Sequence, residues 1–285
     1  MSKTPHTPRP LLGIISDETG ESLRDCVAFA NEQSLDQIEI RMVDGIAPLS
    51  LTKAEAHDAH ACIRGSGLAV SGIATPLLKW TAPGKQTADL GDQFGFERAG
   101  RSDDDLIEAA IRIADIFETR HLRIFSYLAH DAFVLDDLKP PLDKLLRYAE
   151  THDKVLMMEN EHVCNIARFE QLADLVEHYA TPRLRALPDI ANSAAIGDFP
   201  APDLVSRVLA HADHIHFKDY SKSAGTFVAL GTGDVRLDEY MGEVAAAARG
   251  RQLSFSLETH VHDDPLGGST ISAGQLIALT DRHFT

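Results

Sequence analysis

Four acidic or imidazole side chains, far apart along the chain, stand at or near the ends of apolar runs. Glu159 closes the apolar part of VLMMENE (155–161), Asp189 falls in ALPDIAN (186–192), His216 in HADHIHFKDY (211–220) and Glu258 in LSFSLETH (253–260). A short apolar run that ends in a charged group reads as a buried parallel strand delivering that group to the open end of a sheet. Two Glu, one Asp and one His form a hard-oxygen and imidazole set suited to one divalent metal ion. A single acidic residue at a strand end is more often a helix cap or turn former. The order Glu, Asp, His, Glu on consecutive strands lifts the set above that. If His216 faces inward, alternation puts His214 and Lys218 on its side. His214 then reads as a packed barrel histidine. Lys218, nearer the mouth, serves the site or pairs with Asp219 or a neighbouring carboxylate. Ser256, Glu258 and His260 also share one face, which brings His260 to the pocket.

A scaffold must hold these groups. Residues 11–16 read as a first strand, and Asp17 to Ser22, Glu21 included, as a turn capping a helix at 22–33 with Leu23, Cys26, Val27 and Ala30 on one face. DQIEIRM (36–42) alternates as a second strand. Ile38 and Ile40 point one way, and Glu39 and Arg41 the other, as a buried pair that shapes the pocket or braces the barrel. A helix at 52–65 and a strand at 68–76 follow. Residues 77–100 are rich in Gly and polar groups yet carry Trp80, Phe94 and Phe96, which suggests a lid over the pocket. Ser102 then starts a helix whose Asp103, Asp104 and Asp105 complement its dipole. Next come strand 121–128 and helix 139–152, with Pro140 and Pro141 in its first turn. Strands 155–161, 184–189, 213–218 and 252–260 alternate with helices 166–179, 203–211, 237–249 and 271–281. Eight strand-then-helix units predict an α/β fold, a (β/α)8 TIM barrel with its active site at the C-terminal ends of the strands, although a doubly wound open sheet shares much of the pattern. Gly231-Thr232-Gly233 is too short for a dinucleotide motif and reads as a turn.

Composition narrows the partners. The 285 residues, 44% hydrophobic, can bury one sizeable core, so one domain over 1–285 is expected. With 43 acidic and 27 basic residues the formal charge is −16, which repels nucleic acid and anionic membranes. Three cysteines, Cys26, Cys62 and Cys164, lack disulfide or zinc-type spacing. The N-terminal MSKTPHTPRP is polar and proline-rich, and no stretch of about 18 apolar residues occurs. A cytoplasmic protein is the expectation.

ENEH at 159–162, DIAN at 189–192, HIHFKD at 214–219, GTGD at 231–234 and LETH at 257–260 resemble the xylose isomerase-like barrel superfamily of sugar phosphate isomerases and epimerases, in element order over essentially the whole chain. The resemblance implies Glu159, Asp189, His216 and Glu258 as ligands of one divalent ion, Mn²⁺ or Mg²⁺ first and Co²⁺ or Zn²⁺ as alternatives. It also implies Glu159 and Glu258 as proton-transfer groups flanking a small polyhydroxylated ketone or sugar. A Lewis acid on the carbonyl stabilises the enediolate formed when the neighbouring proton leaves. Lys218 is expected to assist catalysis, and Asn192, His260, Glu39, Arg41 and Trp80 to contact substrate. Sugar epimerases commonly carry Asp-x-x-His where this chain has Asp189-Ile190-Ala191-Asn192, and Asn cannot shuttle protons. The His216-x-Lys218 pair is also seen in members resembling inosose and 3-dehydroshikimate dehydratases, so a keto-sugar lyase is the rival reading. The apurinic endonuclease branch, with its extra histidines and anionic substrate, fits less well, and a non-catalytic sugar-binding barrel conflicts with retention of both glutamates. A homo-oligomer stays open.

Overall fold

The computed structural model of the chain describes residues 7–20, 22–87, 91–98, 100–248 and 250–284. The expectations for residues 1–6, Glu21, 88–90, 99 and 249 lie outside these.

The first half runs β1 (Leu11–Ile15), α1 (Leu23–Glu32), β2 (Gln37–Ile40), α2 (Lys53–Gly65), β3 (Ala69–Ile73), α3 (Asp103–Ile116), β4 (His121–Ile124), α4 (Lys139–Thr151) and β5 (Val155–Glu159). The second runs α5 (Phe169–Tyr179), β6 (Leu184–Leu187), α6 (Ile190–Ala195), α7 (Pro202–Leu209), β7 (His214–Phe217), a hairpin of β8 (Asp219–Ser221) and β9 (Thr226–Val228), α8 (Leu237–Ala248), β10 (Ser254–Leu257) and α9 (Pro265–His283). Among the described residues eight strands form one parallel sheet in the order β6-β5-β4-β3-β2-β1-β10-β7. Its edges meet through parallel bridges between Ala186 and Ala212 and between Asp189 and His216. The His216 amide donates to the Pro188 carbonyl at 3.2 Å. The result is a nearly closed (β/α)8 barrel, as the alternation predicts.

Period-two alternation sorts each strand. Leu12, Ile14, Ile38, Ile40, Leu122, Ile124, Leu156, Met158, Ile215, Phe217, Phe255 and Leu257 face the helices and join one buried core. Each such side chain contributes roughly 1.5–3 kcal/mol on burial, so a one-residue slip of a strand would forfeit several of them together. The other face, Gln37, Glu39, Arg123, His214, His216, Ser256 and Glu258, fills the barrel with buried polar groups. Leaving one unpartnered costs about 1–3 kcal/mol, so Gln37, Glu39, Arg123, His214, His216 and Glu258 find hydrogen-bond partners within the barrel, while the Ser256 hydroxyl has none. Gly13 is needed here, because a Cβ on it would lie 2.9 Å from the Gln37 carbonyl oxygen.

Helix starts follow the local signals. Ser102 Oγ accepts from the Asp105 amide at 3.2 Å while the Asp105 carboxylate accepts from the Ser102 amide at 2.9 Å. Thr52 and Glu55 repeat that reciprocal cap at α2. Three features depart from the sequence reading. Strands stop two to four residues early at β2, β3, β4, β5, β6 and β10, the chain passing from each into a loop at that end of the barrel. The last helix begins at Pro265 rather than 271: Asp264 caps it by accepting from the Gly267 amide at 3.0 Å, which outweighs the weak helix propensity of Gly267 and Gly268. The short α6 and the β8–β9 hairpin were also not anticipated. No helix among the described residues is long and apolar enough to cross a membrane.

Candidate metal centre

Strand β5 delivers Glu159, the turn after β6 delivers Asp189, β7 delivers His216, and the residue after β10 is Glu258. All four are at most 1% exposed. One ligand atom from each lies within 4.8 Å of the others. That is the spread of donors around one ion with bonds of about 2.0–2.6 Å. Asp189 does cap α6, its Oδ1 accepting from the Asn192 amide at 2.9 Å. Its Oδ2 is buried without a well-aligned hydrogen bond, as is Glu159 Oε2. Lys218 and Arg123 stand 3.1 and 3.2 Å from these two oxygens as counter-charges. Two carboxylate oxygens short of a donor, beside an imidazole, fit a hard divalent cation.

The histidine is oriented from beneath. His216 Nε2 lies 2.9 Å from Glu39 Oε2, and its Nδ1 faces Glu159 Oε1 at 3.1 Å and Glu258 Oε2 at 3.4 Å. Glu39 Oε2 also meets His214 Nε2 at 2.9 Å, and His214 Nδ1 meets Ser254 Oγ at 2.8 Å. A carboxylate on the far nitrogen of a ligand histidine fixes which nitrogen is free for metal. Against burial, Glu39, Glu159 and Glu258 hold the His216 imidazole protonated well above its ordinary value. The same carboxylates attract any cation placed there.

Cations crowd the mouth. Glu258 Oε1 accepts from Arg41 at 3.1 Å and Arg123 at 3.0 Å, and its Oε2 accepts from Lys218 at 2.9 Å. Lys218 thus lies between Glu258 and Asp189 Oδ2. Burial alone would raise the Glu258 carboxyl, but Lys218, His216 and His260 hold it well below the usual range. Asp189 goes the other way. Burial, reinforced by Glu258 and Glu159 and only partly offset by Lys218, pushes it up to about 6.

Several expected contacts fall elsewhere. Glu39 and Arg41 do not pair with each other. Glu39 sits under the two histidines, while Arg41 reaches Asp17 at 2.9 Å, Glu18 at 2.6 Å and Glu258. They lie at successive inward positions, and each finds a nearer counter-charge on another strand. Of the partners open to Lys218, the structure has the neighbouring carboxylates, Asp189 and Glu258, as one reading expected, and not Asp219, which accepts from the amides of Gly231, Gly233 and Val235 and shapes the GTGD turn. Trp80 stacks on Phe96 and carries Arg98 over its ring. Phe94 is the aromatic of that loop that meets the site, 3.9 Å above the Arg41 guanidinium and 5.5 Å from the His260 ring. Asn192 is buried and bonds Asn160 and His162. His260 does reach the cluster, its Nε2 being 3.1 Å from Arg41.

Arg123, Glu18 and Phe227 were missed. Arg123 had a readable signal, since HLRIF alternates and places it inward; Glu18 and Phe227 come from a turn and a hairpin with no such signal. Glu18 Oε2 accepts from the amides of Thr259 and His260 at 2.8 and 2.9 Å, tying the end of β10 to the loop after β1. Phe227 lies under Lys218 at 4.7 Å and beside His260 at 5.4 Å. Phe94 and Phe227 thus cover the centre. The cavity lined by Arg41, Lys79, Phe94 and Arg123 has about 20 Å³ of solvent space, room for little more than one water.

A family model described as xylose isomerase-like TIM barrel matches residues 27–278. Three solved structures illustrate the likeness. The 3-keto-D-glucoside 4-epimerase YcjR from E. coli is 14% identical, with a TM-score of 0.68 over 95% of this chain and 99% of that one. The probable 3-DHS dehydratase AsbF from Bacillus anthracis is 19% identical, with a TM-score of 0.69 over 95% and 99%. A xylose isomerase-like TIM barrel protein from Mycobacterium smegmatis, solved in complex with magnesium, is 14% identical, with a TM-score of 0.65 over 92% and 89%. No curated protein matches the chain in sequence. At such identities the shared feature is the fold, and since the family model spans most of the barrel just described, the chain belongs to the xylose isomerase-like TIM barrel family.

Proposed function

We propose that this chain is a divalent-metal-dependent isomerase or epimerase of a polyhydroxylated ketone or sugar. What supports this above other readings is the approach of two glutamates, Glu159 and Glu258, to His216 Nδ1, at 3.1 and 3.4 Å, within one cluster of metal-type ligands. Glu159, Asp189, His216 and Glu258 would hold the ion, Mn²⁺ or Mg²⁺. When bound, it supplies Lewis-acid polarisation of a substrate carbonyl, which acidifies the neighbouring carbon. Glu159 and Glu258 are then the groups that take the carbon-bound proton and return it. Against burial, Asp189 and Glu258 hold the Lys218 ammonium protonated, so Lys218 donates hydrogen bonds to an oxygen gaining negative charge.

Lys218 also supports a second reading, a keto-sugar lyase, because a buried ammonium beside both Asp189 and Glu258 can assist departure of a β-hydroxyl. The test is incubation of Mn²⁺-loaded protein with a panel of ketoses in D₂O. Deuterium at the carbon next to the carbonyl, lost in Glu159→Gln and Glu258→Gln, is the expected outcome. An ultraviolet-absorbing enone would select the lyase, and absence of exchange and of product with every ketose would refute both.

A further inference from the structure

Two groups of the ENEH stretch, Glu161 and His162, take no part in the metal centre. Glu161 is 4% exposed. The His162 side chain is 32% exposed, so its ring stands with one edge in the protein and one toward solvent. Its Nδ1 lies 2.7 Å from Glu161 Oε1 and 3.2 Å from Asn192 Oδ1. The Asn192 amide is set by its Nδ2, which donates to the Asn160 carbonyl at 3.0 Å, so the oxygen is what faces His162. Both neighbours of Nδ1 are acceptors. Nδ1 therefore carries a proton, and Nε2, the outer nitrogen, keeps its lone pair in the neutral ring.

The same ring lies at the mouth of the centre. Its edge meets Phe227 with centroids 5.6 Å apart, and Phe227 in turn meets His260 at 5.4 Å and lies under Lys218 at 4.7 Å. His162 and His260 thus flank one aromatic ring. Glu161 is itself held, with Lys79 Nζ 3.4 Å away. The charged groups facing His162 are Glu161 and Lys218. Burial and Lys218 favour the neutral ring, Glu161 favours the imidazolium, and the balance lies above the ordinary histidine value. A histidine whose inner nitrogen is fixed by a buried carboxylate, and whose outer nitrogen is accessible, is arranged for proton transfer near neutrality.

We propose that His162 is the acid–base catalyst for the oxygen-bound proton of the reaction, a role separate from the carbon-bound proton transfer assigned to Glu159 and Glu258; it rests on the isomerase reading above. Converting a 2-ketose to an aldose moves two protons. One leaves carbon 1 and reaches carbon 2 through a carboxylate. The other leaves the carbon 1 hydroxyl, rests on His162 Nε2 as an imidazolium paired with Glu161, and passes to the former carbonyl oxygen on carbon 2. The carbon 1 oxygen becomes the carbonyl, the ring returns to neutral, and no oxidant, reductant or further reactant is consumed.

The experiment uses full-length Mn²⁺-loaded protein and a panel of 2-ketoses in D₂O, reading deuterium entry at carbon 1 and aldose formation separately. His162→Gln should keep deuterium entry within about threefold while aldose formation slows about 10²-fold. Its pH profile should lose the acidic limb that reports a neutral histidine. Glu161→Gln, which removes the charge favouring the imidazolium, should move that limb to lower pH. Unchanged aldose formation in His162→Gln, or deuterium entry and aldose formation falling together with the pH limb intact, would overturn the assignment. Should His162→Gln fail to fold, an acidic limb unmoved in Glu161→Gln would overturn it equally. Failure of the wild type to exchange deuterium with any ketose would instead remove the isomerase reading, and this role with it.

Discussion

Glu39→Gln tests how His216, the proposed metal ligand, is held. Glu39 is fully buried, and one of its oxygens serves Nε2 of both His214 and His216 at 2.9 Å. Against burial, His216 and His214 hold its carboxyl well below the ordinary range, so the charge is present at any pH used for assay. Glutamine keeps the volume but loses that charge and turns half of the group into a donor. One imidazole then loses a charge-assisted hydrogen bond, a change of about 1.5–3 kcal/mol. If the loss is borne by His216, its Nδ1 is no longer fixed toward Glu159 and Glu258. Loss of an outer partner of a ligand histidine costs about 10–100-fold in metal affinity, or about 1.4–2.7 kcal/mol. The two magnitudes agree, so Mn²⁺ should bind Glu39→Gln about 10–100-fold more weakly by calorimetric titration. Glu159→Gln, which removes the charge of a proposed ligand, should lose more. A Glu39→Gln protein with wild-type secondary structure by circular dichroism and an Mn²⁺ affinity within about twofold of wild type would refute the account.

Other perturbations probe the surroundings. Phe94→Ala removes the ring 3.9 Å from Arg41 that roofs the centre; chelator stripping of bound Mn²⁺ should be several-fold faster, with thermal stability lowered by no more than the roughly 1–2 kcal/mol of a cation–π contact. Gly233→Ala would place a Cβ against the Asp219 carboxylate and 2.7 Å from the Tyr220 carbonyl oxygen, so urea denaturation should show a loss of about 1–3 kcal/mol. Glu18 is the acid-side test. Burial would raise its carboxyl, but Arg41 and His260 hold it below its ordinary 4.5, so its contribution is present above that value and is lost as pH falls through the depressed one. In Glu18→Gln, thermal melts from pH 5 downward should therefore depend less steeply on pH than in the wild type.

Alternation is a local property of a strand, and that is why so much was readable early. A parallel strand buried on both faces must send apolar residues to the helices every second position, so whatever occupies the other positions lines the barrel. Glu159, His216 and Glu258 could be assigned inward from their own neighbours alone, and Arg123 could have been. Helix starts at Ser102 and Thr52 were legible because a cap closes within three residues. Partnership was not legible. Glu39 and Arg41 are two apart in sequence, yet Glu39 bonds groups 175 and 177 positions away and Arg41 reaches Glu258, 217 positions away.

The amino-acid sequence by itself determined the eight-fold alternation and which side chains of the barrel strands face inward, because both follow from spacing within a few residues, and its motifs carried the resemblance to the family. Only the tertiary structure decided which nitrogen of His216 meets Glu39, which aromatic of the long loop roofs the centre, and that Asn192 braces His162. Those outcomes depend on distances between segments far apart along the chain, which barrel closure sets and local patterning does not encode.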